Sequence, residues 1–311
     1  MDHQEYLAWL SEIDDLSPEQ RIETARLLTG QPSLEAVIGL LEERIGAARG
    51  CPHCATDGAV IRGRANGLNR YFCKSCGKTF NALTGTPLAR LRRKDCWTEF
   101  AASLSEGDTV KASAQRSGVA GSTAFRWRHR FLRAVTAGAI KLRGIVEADE
   151  TFVLSSRKGE RNLDRKARKR GGKASKRGLS DEQVPVLVAA DRSGVTVSAV
   201  LPAVSAAHLQ AVLQPVLDQD ALLVTDGCPS YPPCAAALGV SHEALNQTAG
   251  ERVRGELHIK TFLRHHRGVA TKYLDSYLRW FHLAVLPRQP TPRTVIAAAA
   301  GILPIRQSVH S

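Results

Sequence analysis

The sequence lacks the features that would place it in a membrane or carry it across one. No apolar run approaches the roughly 18 residues that span a bilayer, and aromatic residues make up only 5% of the chain. The N-terminus also lacks the positively charged start and apolar core of a secretory signal. We therefore expect a cytoplasmic protein, associated with the bacterial nucleoid when it is bound, with no membrane partner.

Acidic residues become scarce after residue 49. Residues 1–49 contain ten acidic and four basic side chains, whereas the remainder contains twenty acidic and thirty-nine basic ones. A basic body of this kind favours a polyanionic partner, because basic side chains that neutralise phosphates release the counterions bound there. Double-stranded DNA is the partner we expect, and RNA is an alternative.

Cysteine is also sparse, but four of the seven cysteines form two close pairs. Cys51-Pro-His-Cys54 and Cys73-Lys-Ser-Cys76 are separated by eighteen residues, a spacing typical of a structural Zn²⁺ site. Because a four-thiolate site has no open position, it would stabilise a fold and take no part in catalysis. Two disulfides, or four unrelated cysteines, are the alternatives. We predict a zinc ribbon over residues 50–90.

The next segment has a helical pattern. Lys111–Val119 predicts a short helix that ends at Gly118, and Ser122 and Thr123 predict the start of a longer helix to Arg133. A glycine turn between two such helices is typical of a helix-turn-helix, here over residues 91–142. An ordinary amphipathic helix with solvated arginines is the alternative. The arginines predicted to contact DNA are Arg126, Arg128, Arg130 and Arg133.

Strand patterns begin at residue 144. Gly144–Thr151 predicts a first strand, Val184–Ala190 and Val195–Leu201 predict a hairpin, and Ala221–Asp226 predicts a buried strand after a helix. The segment 157–177 contains eleven basic and two acidic residues, which suits an arm along DNA phosphates. The side chains assigned to this contact are Lys166, Arg168, Lys169 and Arg170.

Two aspartates carry the chemical hypothesis. Asp149 lies in the first strand, and Asp226 ends the buried strand. Strands that are distant in sequence can be neighbours in a sheet, and paired carboxylates suit Mg²⁺ or Mn²⁺ in phosphoryl transfer. Singly, an aspartate at a strand end is more often a turn residue.

Several motifs together resemble the DDE transposases of bacterial insertion sequences. They are Val146–Thr151, Leu223–Gly227 with Tyr231, Lys78–Leu88, Thr123–Arg130 and Gly268–Leu278. The resemblance implies a ribonuclease-H-like catalytic domain that cuts DNA ends and joins them to a target. It also implies Asp149 and Asp226 as metal ligands, and a homo-oligomer in the DNA complex.

The chain departs from this family at one position. Relatives carry a third metal ligand on a helix between a His-Ile-Lys-like motif and the Gly-Val-Ala-Thr-Lys motif. Here His258-Ile-Lys-Thr261 is followed almost directly by Phe262–Gly268, so one to three helical turns are missing. Glu251, Glu256 and His258 are substitute candidates, and we expect His265 and His266 to be surface residues.

The sequence thus predicts an α+β multidomain transposase. Its expected parts are an acidic helical cap (1–49), the zinc ribbon (50–90), the helix-turn-helix (91–142), the catalytic domain (143–285) and a C-terminal tail (286–311). The alternative is a DNA-binding protein without cleavage activity. It would be either a transposase remnant or a regulator built from the ribbon and the helix-turn-helix.

Overall fold

The computed structural model describes most of the chain. The described residues are 2–18, 20–21, 24, 34–133, 141–164, 166, 172, 174–175, 180–245, 254–266, 268–284 and 290–302, with 6, 14 and 254–258 described by their backbone. They divide into two compact units. The N-terminal unit holds the described residues up to 133 and those from 290 onwards, and the second unit holds those from 141 to 284.

Helices and strands occur in both units, so the fold is mixed α/β. The helices are α1 (His3–Glu12), α2 (Leu34–Glu43), α3 (Trp97–Ser105), α4 (Val110–Arg116), α5 (Gly121–Arg133), α6 (Ala206–Leu213), α7 (Tyr231–Leu238), α8 (Arg254–His265), α9 (Leu274–Ala284) and α10 (Pro292–Ala299). The strands are β1 (Val60–Ala65), β2 (Leu68–Phe72), β3 (Thr79–Phe80), β4 (Ile145–Leu154), β5 (Gln183–Asp191), β6 (Thr196–Val200), β7 (Leu222–Thr225) and β8 (Ser241–Ala244). Among the described residues, none of the helices has the length and apolarity that crossing a bilayer requires.

A three-stranded antiparallel sheet, β1-β2-β3, lies in the N-terminal unit. Asn66 and Gly67 join β1 to β2 with φ values of 53° and 80°, the left-handed pair that a tight two-residue hairpin requires. Helix α2 is bonded to this sheet, because the carboxylate of Glu42 accepts hydrogen bonds from the Asn69 backbone N–H and the Tyr71 hydroxyl. The second half of the predicted acidic cap therefore belongs to the same compact unit as the hairpin.

Aromatic side chains hold α3 against α5. The ring of Phe100 lies 5.3 Å from Trp127 and 5.2 Å from Phe131, centroid to centroid, both edge-to-face. All three side chains are buried, so this cluster forms the helical core of the N-terminal unit. Edge-to-face contacts add to the free energy gained by burying the rings.

The structure corrects the prediction of a C-terminal tail over residues 286–311. Residues Pro292–Ala299 form α10, which packs against α3 and α5. Its alanines are buried, and small side chains let two helices approach closely. The hydroxyl of Ser105 donates a hydrogen bond to the Pro290 carbonyl and so ties the start of this segment to α3.

The second unit is built on one five-stranded sheet of order β6-β5-β4-β7-β8. Strands β4, β5 and β6 are antiparallel neighbours, whereas β7 and β8 run parallel to β4. The predicted hairpin of β5 and β6 is confirmed. Sequence analysis had not identified β8 or α7.

Helices cover both faces of this sheet. On one face Val146, Ala148 and Leu223 pack with residues of α6 and α7. On the other face Val186 and Val188 pack with residues of α8 and α9. Since side chains alternate along a strand, each residue of β4 points to one of these two layers.

Candidate functional site

Asp149, in the middle of β4, and Asp226, which directly follows β7, occupy neighbouring positions in the sheet. The parallel register of β4 and β7 pairs Val146 with Leu223 and Ala148 with Thr225, so the next position along brings Asp149 beside Asp226. Adjacent strands lie about 4.8 Å apart. The register therefore brings the two predicted aspartates together.

Asp149 belongs to the sheet face on which α8 and α9 pack. Val146 points into the opposite layer, and the position three residues further along β4 alternates to the other side. Asp149 is half-buried and Asp226 is exposed. Asp226 is thus accessible to solvent, whereas β4 holds Asp149 in the sheet.

The turn after β7 holds Asp226 in place. Its Oδ1 accepts a hydrogen bond of 3.0 Å from the Cys228 backbone N–H, and the Thr225 hydroxyl accepts one from the Gly227 N–H. Gly227 has φ of 84°, a left-handed conformation that favours glycine. The sequence Asp-Gly therefore presents the carboxylate on a tight turn.

A third acidic side chain, Glu150, lies on the other face of the sheet, behind the pair. It points to the α6–α7 layer, where its Oε1 accepts a 2.5 Å hydrogen bond from the Tyr231 hydroxyl. Burial, together with the negative charges of Asp149 and Asp226, raises the pKa of Glu150. Burial and, after it, the neighbouring Glu150 carboxylate raise the pKa of Tyr231 strongly, so the hydroxyl keeps its proton and acts as the donor.

Thr225 and His242 extend this polar cluster to the next strand. The Thr225 hydroxyl lies 3.0 Å from Nε2 of His242 on β8, and the His242 ring is stacked beside Tyr231. Glu150 and Tyr231 lie within the sequence motifs without a predicted role, and no sequence pattern indicated His242. The alternation along β4 was the available signal for Glu150, since it puts Glu150 opposite Asp149.

No third ligand joins the two aspartates within the part of the chain that the structure describes. There, the only group of three or more His, Cys, Asp or Glu side chains with ligand atoms within 4.8 Å of one another is the four cysteines. Glu251 lies outside the described residues, as do the side chains of Glu256 and His258. Helix α8 packs on β5 through Ile259, Phe262 and Leu263, and a 3₁₀ turn and α9 follow within a few residues.

The adjacent histidines differ from the prediction that both lie on the surface. His265 is exposed, whereas His266 is partly buried. Its ring lies 4.6 Å from Phe262 and 4.3 Å from Trp280, centroid to centroid. His266 therefore joins an aromatic cluster between α8 and α9, which the sequence did not reveal because one partner ring, Trp280, comes from a separate helix.

The four cysteines of the two pairs converge on one point. The Sγ atoms of Cys51 and Cys76 are 3.7 Å apart, and those of Cys54 and Cys73 are 3.6 Å apart. A tetrahedral Zn²⁺ with Zn–S bonds of about 2.3 Å requires sulfur atoms about 3.8 Å from one another. The four-cysteine group therefore fits a tetrahedral ion of that size without rearrangement.

The two Cys-x-x-Cys turns have the same hydrogen-bonding pattern. The Ala55 N–H donates to the Cys51 carbonyl, and the Gly77 N–H donates to the Cys73 carbonyl. Ala55 and Gly77 both have positive φ, 59° and 70°. The two Cys-x-x-Cys turns therefore have the same geometry, as expected when both pairs bind one ion.

The arginines of α5 divide into two groups. Arg126 and Arg133 are exposed, as expected for residues that would contact DNA. Arg128 is fully buried, and its Nη2 donates to the Asp108 carbonyl (2.6 Å) and the Ser113 hydroxyl (2.9 Å). The predicted DNA contact by Arg128 is therefore wrong, because this side chain ties α5 to α4.

Arg130 is also committed to structure. Its guanidinium donates to the carbonyls of Pro87 and Ala89, the latter at 2.6 Å, and the side chain is partly buried. These bonds hold α5 against the segment that follows the cysteine site. In addition, α5 begins at Gly121, so Ser122 and Thr123 lie in its first turn and do not precede it.

The basic segment 157–177 is described in part. Lys166 is exposed, whereas Arg168, Lys169 and Arg170 lie outside the described residues. Near its start, Arg157 forms ion pairs with Glu160 and Asp164. Those pairs engage the two acidic residues of the segment.

Comparison with known proteins identifies the family of this chain. Residues 141–282 match the family model described as the ISXO2-like transposase domain. The chain is 30% identical over 248 residues to an uncharacterized protein in transposable element ISH50 of Halobacterium salinarum, covering 75% of this chain and 84% of the relative. The chain therefore belongs to the DDE transposases of insertion sequences.

Solved structures with a partial likeness include the Mos1 strand transfer complex and a simian T-cell lymphotropic virus intasome. The first is 15% identical, covers 66% of this chain and 74% of that chain, and has a TM-score of 0.29. The second is 11% identical, covers 62% and 74%, and also has a TM-score of 0.29.

Proposed function

We propose that this protein is the transposase of its insertion sequence, which binds the ends of the element and carries out metal-dependent DNA cleavage and strand transfer. The observation that carries the proposal is the parallel register of β4 and β7, which sets Asp149, in the middle of β4, beside Asp226, directly after β7. The order of the five-stranded sheet supports a ribonuclease-H-like catalytic domain.

Asp149 and Asp226 would hold Mg²⁺ or Mn²⁺. Carboxylate oxygens are the donors that these ions prefer, and water and DNA phosphate oxygens can complete the coordination. A bound ion would stabilise the charge that develops on the scissile phosphate and on the leaving oxygen. The contribution of the chain is to orient the two carboxylates, through the Asp-Gly turn on one side and the long strand β4 on the other.

The N-terminal unit would supply the DNA contacts. We assign the four-cysteine group to structural Zn²⁺, because its sulfur spacing fits that ion. Helices α4 and α5 would act as a helix-turn-helix, with Arg126 and Arg133 towards the duplex. Lys166 and the rest of the basic arm would lie along phosphates.

A catalytically impaired remnant is the second candidate. It is favoured by the short connection from α8 to α9 and by the lack of a third ligand beside the two aspartates in the described part of the chain. Such a protein would bind element ends and cut them poorly.

Cleavage and binding assays with Asp149→Asn separate the two candidates. Labelled duplexes from the DNA that flanks the coding sequence would be incubated with protein and Mn²⁺, with Asp275→Asn as an exposed aspartate control. A transposase gives Mn²⁺-dependent strand-transfer products that Asp149→Asn abolishes while end binding stays unchanged. A wild-type protein that binds the ends and yields no product would instead be a remnant.

A further inference from the structure

The β1–β2 hairpin carries three exposed arginines. They are Arg62 and Arg64 on β1 and Arg70 on β2, and we call these three residues the hairpin face. The register places Arg62 and Arg70 on the side of Phe72 and Arg64 on the side of Asn69, so the three flank the β1 edge of the sheet. The surrounding segment 51–82 contains five basic residues and one acidic residue, Asp57. Every residue of β1 after Val60 is exposed, which includes Ile61 at 45%.

Tyr71 belongs to the core of the ribbon. Tyr71 stacks on Phe80 with their ring centroids 5.3 Å apart, and both side chains are buried. Their core includes Cys51 and Cys73. The aromatic residues of the ribbon therefore stabilise its interior, and they do not form a platform on which unstacked bases could lie.

A bulge directs Arg62 onto the remaining aromatic ring. The register of β1 and β2 shifts between Ile61 and Arg64, and Gly63 between them has φ of 86°. The guanidinium carbon of Arg62 lies 3.9 Å from the ring centroid of Phe72. Stacking of this kind orders a long side chain in advance while its N–H groups stay available to a phosphate.

The charges of the hairpin face are not neutralised by neighbouring carboxylates. Within the described residues, no ion pair involves Arg62, Arg64 or Arg70, and Arg64 Nε donates to the neutral Asn69 amide oxygen. By contrast, Arg116 in the same unit forms ion pairs with Glu99 and Glu106. The hairpin face thus retains a local positive potential.

The hairpin is fixed relative to α5. Lys94 Nζ donates to the Asn66 carbonyl at the hairpin tip, and Glu42 bonds the middle of β2. Arg130 of α5 bonds the carbonyls that follow β3. These bonds hold the hairpin within the N-terminal unit and leave the hairpin face exposed to a partner.

We propose that the hairpin face is a second contact surface for duplex DNA, which binds phosphates beside the site reached by α5. The inference rests on the DNA binding in the proposed function and adds the surface and its partner. Duplex DNA is favoured over single-stranded RNA because single strands are held by exposed aromatic platforms, whereas Tyr71 and Phe80 are buried and Phe72 lies under Arg62. Two surfaces in one compact unit would fix the orientation of the duplex as well as its affinity.

Fluorescence anisotropy of a labelled mixed-sequence duplex tests the proposal in the full-length chain. The test variant carries Arg62→Gln, Arg64→Gln and Arg70→Gln. The control carries Arg143→Gln, Arg192→Gln and Arg279→Gln, which remove the same charge from arginines paired with acids in the second unit. Losing three phosphate contacts should lower the slope of log K against log salt by about 2 to 3 and the affinity at least tenfold.

The outcomes distinguish this proposal from the proposed function. Affinity and slope equal to those of the control variant would overturn the hairpin contact while leaving DNA binding by the chain intact. Failure of the wild type to bind any duplex would overturn both, whereas failure to cleave would leave the hairpin result valid. Single-stranded RNA that competes better than duplex DNA, with the competition lost in the test variant, would overturn the choice of partner.

Two measurements show whether the test variant is correctly folded. Zinc content and the far-ultraviolet circular dichroism of the test variant should match those of the wild type, because the three side chains lie outside the ribbon core.

Arg62→Lys, which keeps the charge and loses the planar stacking group, should reduce affinity by a smaller factor than Arg62→Gln. Equal affinity of Arg62→Gln and wild type would contradict a role for the stacked guanidinium.

Discussion

The hydrogen bond from Tyr231 to Glu150 joins α7 to β4 directly behind the paired aspartates. Tyr231 begins α7 five residues after Asp226, and Glu150 follows Asp149. The bond therefore links the start of α7, which follows Asp226, to the strand that carries Asp149. We expect it to position the two carboxylates as well as to stabilise the fold.

Tyr231→Phe removes the donor and leaves a buried carboxyl group without it. A hydrogen bond to such a group contributes about 1.5 to 3 kcal/mol. For a unit of this size, the loss should lower the melting temperature by about 3 to 10 °C. Loosening the support of metal ligands should also weaken Mn²⁺ binding by about tenfold.

Tyr71→Phe is a matched control for this prediction. The Tyr71 hydroxyl donates to Glu42 at 2.7 Å, so the same chemistry is removed from the N-terminal unit. Calorimetry would measure stability, and electron paramagnetic resonance of free Mn²⁺ would measure affinity. Both variants should lose stability, and only Tyr231→Phe should lose Mn²⁺ affinity. Equal Mn²⁺ affinity in Tyr231→Phe and wild type would refute the positioning role.

Three further predictions concern separate parts of the molecule. Metal analysis should find zinc in the wild type, and Cys73→Ser should lose it and destabilise the N-terminal unit; a zinc-free protein with an unchanged melting temperature would exclude the ion. Burial lowers the pKa of His282 to about 4. Below about pH 6.5 the unfolded chain therefore binds a proton at this histidine, whereas the folded chain does not. The free energy of unfolding should fall by about 2 kcal/mol between pH 7 and pH 5. His282→Gln should flatten this part of the stability profile. Arg128→Met should cost about 1 to 3 kcal/mol of stability and leave the salt dependence of DNA binding unchanged, whereas Arg126→Ala should lower that slope by about 1.

Strand patterns could be predicted well because they depend on local alternation of apolar residues. The hairpin of β5 and β6 and the strands that carry Asp149 and Asp226 follow their predicted segments closely. The spatial pairing of β4 with β7 is different, because it depends on which strands become neighbours. Sequence supplied this pairing only through resemblance to a family, and the register now gives it directly.

The errors on α5 have a local cause. Ala124, Trp127, Arg128 and Phe131 recur at the spacing of one helical face, and all four are buried. That spacing already placed Arg128 on the buried side, although its charge argued for the surface. Arg130 could not be assigned from spacing, because its acceptors are the carbonyls of Pro87 and Ala89, about forty residues away.

The same corrections change how the N-terminal unit is understood. Two of the four arginines expected to bind DNA instead fasten α5 to α4 and to the segment beyond the cysteine site. Burying a guanidinium is costly unless its donors find acceptors, so these bonds hold the helices in one arrangement. The exposed arginines among these four are Arg126 and Arg133, and two side chains provide few of the phosphate contacts that tight binding requires. The basic hairpin, which belongs to the same compact unit as α5, offers the additional contacts, which is why we expect DNA binding to depend on both surfaces together.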